Sequence, residues 1–429
     1  MIQFIQKKED NKLKKLVALL ALLLVTLSVT ACAPSPAAEP ELVIFQNKVE
    51  IDGALRTYAE AWGTANGVKV TVKSCGGDTC TYGTQILAEF QSDKQPDIFV
   101  IEGLGGYNIY KDKMADLTGE PWAADTGLEF VVDGKVYGFP VAIEGWGMAY
   151  NAEILTAAGV DMDSLKNASQ EAYRVAFEQV KTYYEANSLT DYAVVSMAAG
   201  AGMTWVTGLH NFNGYLSAGL EYSDNSVITK LLDGEVDATR LAQLADWVEL
   251  LFTYSDETIL LNGGYDEQVG KFAQGKAAFL HQGNWTDSSY TNSDFEMGYL
   301  PHAVLATGND SIFIGAPSYY VLNADSSAQD SAKKFLADLA ATAAGHDYMV
   351  NKANMVPAFN AVTLVPATPL SKAVLEYNQD GKAYAWWQND MPSGFGMDTV
   401  GPIYELFAKG EITKEQFITQ ITAEVAKLK

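Results

Sequence analysis

The chain has 429 residues, 48% of them hydrophobic and 11% aromatic, which is enough to bury a full core and excludes a disordered chain. A length of this order suits about two domains or lobes. The formal charge of −24, from 53 acids against 29 Lys and Arg, opposes phosphate backbones and anionic lipid heads, and so argues against nucleic acid as a partner.

At the N-terminus, Lys12, Lys14 and Lys15 precede the apolar run LVALLALLLVTLSV, and Val29-Thr30-Ala31-Cys32 follows at once. That order resembles the bacterial lipoprotein signal with its lipobox. The resemblance implies a signal peptide over 1–31, cleavage before Cys32 and diacylglyceryl attachment to its sulfur, a palmitate-type anchor. The other reading is an uncleaved transmembrane anchor, for which the run is short. Cys32 and the Pro/Ala-rich stretch to residue 40 then make a tether that holds the mature chain at the outer face of a cell membrane. Loss of residues 1–31, with five Lys and two acids, moves the formal charge to −27.

Next come ELVIFQN (41–47), VKVTVKS (68–74) and DIFVIEG (97–103), short β-branched runs that predict strands. Between them GALRTYAEAWGTANG (53–67) and YGTQILAEFQSDKQ (82–95) predict helices. Alternation of this kind predicts an α/β fold with mostly parallel sheets and crossover helices. SCGGDTC carries Cys75 and Cys80, the two cysteines left after Cys32. In an oxidising compartment a disulfide across this Gly-rich loop is the first reading, and a redox or metal pair the alternative. Farther on, helices are predicted over 238–252 and 326–345, and a last one opens with a Thr413–Gln416 capping box.

Chemistry that would mark an enzyme is sparse. His210, His281, His302 and His346 are scattered, with no HExxH, nucleophile elbow, P-loop or EF-hand loop, so no catalytic residue, metal or cofactor is assigned. Gly103, Gly105 and Gly106 do not make the dinucleotide pattern. What accumulates is aromatic side chains beside glycines and polar groups: Trp146, Trp205, Trp285, Tyr319, Tyr320, Trp386 and Trp387. Such faces suit a sugar, whose C–H surface packs on a ring while its hydroxyls meet carboxylates and amides. Trp62 and Trp247 fall within helical patterns and are assigned to the core. In GKVYGFPVAIEGWGMAYNAEIL (134–155) a single carboxylate, Glu144, interrupts an apolar run, and is either a paired structural residue or one that faces a ligand.

PDIFVIEGLGGY, GKVYGFPVAIEGWGMAYNAEIL, FAQGKAAFLHQGNWTDSS and IGAPSYYVLNADSSAQDSAKKFLADL occur in this order over most of the chain. Together they resemble the family 1 extracellular solute-binding proteins of ABC importers. The resemblance implies a two-lobe, type II periplasmic-binding-protein-like fold with a hinged cleft. Lobe 1 would be 41–142 plus 318–355 and lobe 2 147–313 plus 360–429, with hinge segments near 140–146, 314–318 and 356–359. It implies that Glu144 accepts sugar hydroxyls, that Trp285 stacks on a sugar ring and that Glu102 lies in a loop of polar contacts. Trp146 either presents its ring to the same cleft or packs under the hinge. Trp205, Asn284, Gln46, Tyr319 and Trp386 complete the candidate ligand set. The expected activity is capture of an oligosaccharide by a monomeric receptor and its delivery to permease subunits, without catalysis. Alternatives are a receptor of the same fold for a polyamine or other cation, suggested by the acidic charge, and a surface glycoside hydrolase that uses two acids. Compared with the maltose-binding members of the family it resembles, GMTWVTG lacks a tyrosine before its Thr-Trp and GFGMDTV lacks a tryptophan, so the resemblance implies a carbohydrate other than maltose itself.

Overall fold

The computed structural model describes residues 40–76 and 80–429, so the expected signal peptide, Cys32 and the tether up to residue 39 lie outside the described residues. Strands β1 (Glu41–Gln46), β2 (Lys69–Ser74) and β3 (Ile98–Glu102) form where the β-branched runs predict them. They join β4 (Phe130–Val132), β5 (Lys135–Pro140) and β11 (Ser318–Leu322) in a six-stranded sheet of order β2-β1-β3-β11-β5-β4. A second sheet has the order β12-β10-β6-β8-β7, with β9 paired to β6. Its strands are β6 (Glu144–Asn151), β7 (Ala193–Ser196), β8 (Ala277–Gly283), β9 (Met297–Leu300), β10 (Ile312–Gly315) and β12 (Ala383–Tyr384).

Both sheets are mixed, which corrects the expectation of mostly parallel ones. β1 pairs in parallel with β2 and β3, as β8 does with β7 and β10 with β12. The central pairings β3–β11, β5–β11, β6–β10 and β6–β8 are antiparallel. The reason lies in how the chain passes between the sheets. It leaves the first at Pro140 and enters the second at Glu144, then returns from Gly315 to Ser318 alongside. Neighbouring crossings run in opposite directions, so the strands that flank them are antiparallel on both sides. Val141 N donates to Ser318 O at 3.0 Å, and Ile143 N to Val356 O at 2.9 Å, which draws a third segment against the first two. β4 and β5 form a hairpin through Asp133 and Gly134, both at positive φ (50° and 75°), the Asp-Gly turn that matches strand twist.

The helices cover the sheets by their apolar faces. Asp52–Asn66 buries Leu55, Tyr58, Ala59 and Trp62 and stops at Gly67 in the left-handed conformation. Ala238–Tyr254 starts on Asp237, whose carboxylate accepts from the backbone N–H of Thr239 and Arg240, and it buries Trp247. The helix expected over 326–345 is two helices. Gln329–Ala341 ends at Thr342, which takes an extended backbone and caps Ala343–Asp347 with its own side chain. The Thr413–Gln416 capping box forms as read, with bonds of 2.8 and 3.3 Å. Cys75 and Cys80 are joined in a disulfide, their Cα atoms 5.2 Å apart. Both sheets belong to one compact unit, Glu41–Lys429, and among the described residues no helix is long and apolar enough to cross a membrane.

Candidate ligand-binding site

Strand ends from both sheets meet at the gap between them, the place where open α/β sheets bind ligands. From the first sheet, β1 runs out into Asn47 and Lys48 and β3 ends at Glu102. From the second, β6 begins at Glu144, Asn284 and Trp285 follow β8, and Trp386 follows β12.

The second sheet supplies an aromatic wall. The Trp285 ring centroid lies 5.1 Å from His210 and 6.3 Å from both Trp205 and Trp386. His210 lies 5.6 Å from Trp386, and Trp205 is 6.1 Å from Tyr265. Trp285 is half-buried, with its indole N–H donated to Gln282 Oε1 at 3.0 Å. Gly283 makes that pose accessible: a Cβ there would sit 2.0 Å from the Trp285 ring. Burial holds the His210 imidazole well below its usual pKa, so it is neutral and packs as a ring. Trp205, Trp285 and Trp386, expected from sequence at three distant points of the chain, are thus brought together.

Trp146 is not part of that surface, which corrects the expectation that it faces a ligand. It is 1% exposed and stacks on Phe313 at 3.9 Å, with the edges of His281 and His302 beside it. His210 covers its outer side, stacked at 5.8 Å. The flanking glycines serve the opposite face of β6. A Cβ on Gly145 would fall 2.7 Å from Val374, and one on Gly147 2.9 Å from the Leu300 carbonyl oxygen. They allow close packing behind the strand rather than display of the indole.

Glu144, 7% exposed, forms an ion pair with Lys48, whose ammonium also reaches Glu50 at 3.1 Å. Lys48 takes the place that sugar hydroxyls were expected to fill, so Glu144 is a paired carboxylate. Burial raises the Glu144 carboxyl and the nearby Lys48 charge opposes it, while the two carboxylates hold Lys48 above its usual range despite its own burial. Gln46 is fully buried and spent on structure, donating to Lys48 O (2.9 Å) and Ser74 Oγ (2.5 Å) and accepting from Lys48 N (2.5 Å). Asn284 accepts from Gly145 N at 2.9 Å and donates to Ser371 Oγ at 3.0 Å. Gln46 corrects the expectation of a free ligand-binding amide, because both its N–H bonds hold the turn after β1, whereas Asn284 spends one N–H and one lone pair on the start of β6 and also lines the cavity beside Trp285.

Glu102 is exposed in the gap and accepts from Asn47 Nδ2 at 2.8 Å. The protein around it raises its carboxyl, with Lys48 and Asn47 acting the other way. Tyr319 belongs to a separate aromatic group of the first sheet, 5.2 Å from Phe130, which in turn lies 5.8 Å from Tyr107. Between Lys48 and Glu50 on one side and Asn284, Trp285 and Asp287 on the other lies a cavity of about 100 Å³. A larger one of about 260 Å³ at Tyr192 and Tyr254, on the outer edge of β7, is remote from all these groups. Sequence reading missed Lys48 and His210, since a single Lys after a strand and a lone His carry no local signal. Among the described residues, no three His, Cys, Asp or Glu side chains gather to hold a metal ion.

Residues 57–385 match the model of a family described as bacterial extracellular solute-binding protein. Over 351 residues the chain is 23% identical to a maltooligosaccharide ABC transporter solute-binding lipoprotein of Streptococcus pneumoniae, covering 80% of this chain and 78% of that one. It is 24% identical over 373 residues to the melibiose/raffinose/stachyose-binding protein MelE of Bacillus subtilis, covering 81% and 80% of the two chains. Among solved structures, a chitin oligosaccharide binding protein superposes with a TM-score of 0.71 at 20% identity, over 91% of this chain and 99% of the other. The fold is the mixed α/β fold of type II periplasmic binding proteins, two sheets with flanking helices. With the family model spanning most of its length, this chain belongs to the bacterial extracellular solute-binding proteins.

Proposed function

We propose that the chain is a receptor that captures an oligosaccharide in the gap between its sheets and delivers it to the permease of an ABC importer. The observation that carries this reading is the cluster of Trp205, Trp285 and Trp386, whose half-buried Trp285 lines one cavity with Asn284 and with Lys48 and Glu50 of the facing strand end. Relatives named for maltooligosaccharide and for melibiose, raffinose and stachyose support the sugar class. Lys48 neutralises Glu144 and Glu50, which leaves that pair of carboxylates unsuited to a polyamine. Glu144 so paired is also a poor acid or base for glycoside hydrolysis, so the chain acts by binding rather than by turnover.

The two sheets are the centres of two lobes, 41–142 plus 318–355 and 147–313 plus 360–429. The segments near 140–146, 314–318 and 356–359 are the hinge. Lipidation at Cys32 anchors the receptor as a monomer at the outer face of the membrane.

Each stacked ring contributes about 0.5 to 1.5 kcal/mol beyond its buried area. By titration calorimetry with maltotriose and raffinose, Trp285→Ala therefore weakens binding by roughly tenfold. Its melting temperature stays close to that of the parent because the ring is half-exposed. An unchanged dissociation constant, or heat from neither sugar with the parent protein, overturns the oligosaccharide reading.

A further inference from the structure

The stretch Trp386–Asp390 joins the two walls of the gap. Its first residue packs on His210 and Trp285 of the second sheet. Three residues on, Asn389 meets the end of β3 in the first sheet: a Cβ on Gly103 would fall 2.5 Å from Asn389 Cβ and 2.9 Å from its carbonyl oxygen. Gly103 has φ of 53°, so the approach depends on a glycine in the left-handed region. Three polar side-chain atoms in this stretch lack a hydrogen bond among the described residues. The Trp386 and Trp387 indole nitrogens and Gln388 Oε1 are buried without a hydrogen bond. Asp390 is partly buried beside Tyr319 of β11, and burial raises its carboxyl to about 6, with no counter-charge opposing it.

Buried polar groups are satisfied in more than about nine cases in ten. Several exceptions in five consecutive residues are not ordinary core packing, and a desolvated carboxylate without a partner costs stability. A site that recognises hydroxyls needs this combination: an acceptor that is not already paired, indole donors next to it, and rings on either side. We infer that Trp386–Asp390 is the hydroxyl-reading edge of the gap, where the Asp390 carboxylate accepts from one ligand hydroxyl and the Trp387 indole N–H donates to a neighbouring ligand oxygen. Asp390 thereby sets which sugar faces are accepted, since an analogue lacking that hydroxyl leaves the carboxylate unpaired. The inference rests on the oligosaccharide reading and adds a polar subsite distinct from the stacking wall.

The experiment compares the parent chain with Asp390→Asn, Trp387→Phe and Trp285→Ala, using calorimetry with maltotriose and raffinose and melting of the sugar-free proteins. Asp390→Asn is expected to weaken binding at least tenfold while the sugar-free protein melts no lower than the parent, because the change removes an unpaired charge. Trp387→Phe is expected to weaken binding several-fold with no change in melting. Parent-like affinity in Asp390→Asn, with binding lost in Trp285→Ala, overturns the subsite and leaves the sugar reading standing. A lower melting temperature in sugar-free Asp390→Asn assigns the carboxylate a structural role and also overturns it. If the parent protein binds neither sugar, both readings fall together.

Discussion

Glu144 and Trp146 sit two residues apart on β6, and both were plausible ligand contacts until their neighbours were known. The Trp146 ring is consumed by Phe313 and three histidines, and Glu144 by Lys48. A buried ion pair is expensive to break from one side, because the remaining charge keeps its desolvation cost. Lys48→Met is therefore expected to destabilise the protein by about 3 kcal/mol, and Lys48→Met with Glu144→Gln to recover most of the loss. Denaturant unfolding of the two single variants and the double variant measures this coupling. Additive effects would mean that Glu50 alone satisfies Lys48 and that the pair with Glu144 contributes little.

Among the elements, loops after strands decide the site, and they do so through backbone space. Gly283 ends β8 in an extended conformation open to any residue, and the Trp285 ring is what a Cβ there would strike first. Gly283→Ala is thus expected to push the ring aside and cut sugar affinity by about fivefold or more, the loss of one stacked face. Its melting temperature falls only slightly, since a half-buried ring can turn. Calorimetry and melting on the same preparation check it, and unchanged affinity would place the stacked face elsewhere. Other elements were legible from local signals. The Thr413–Gln416 box depends on residues within one turn of the helix end. The break at Thr342 was not legible, because the apolar spacing of the two short helices continues across it.

At the scale of the whole molecule, three segments that run between the sheets lie side by side, held by the Val141–Ser318 and Ile143–Val356 backbone bonds. In the proposed receptor these connections are the hinge, and rotation about them would change the gap while leaving each sheet intact. Saturating sugar is accordingly expected to lower the radius of gyration in solution scattering. An identical radius with and without sugar would remove closure from the mechanism. The acidic surface has little part in this. Its charge excludes partners of the same sign, and the gap itself is lined by a lysine as well as carboxylates.

By itself the sequence determined the alternation of strands and helices, the Thr413–Gln416 capping box, the burial of Trp62 and Trp247 and the family, whose four blocks appear in order. These rest on periodicity and on hydrogen bonds between near neighbours, where the chemistry is written into a few adjacent residues. Only the tertiary structure decided the antiparallel centre of each sheet, the pairing of Lys48 with Glu144, the covering of Trp146 by His210 and the meeting of Asn389 with Gly103. Each of those joins residues far apart in the chain, and which of several equally suitable partners a buried charge or ring obtains is settled by packing as the sheets come together.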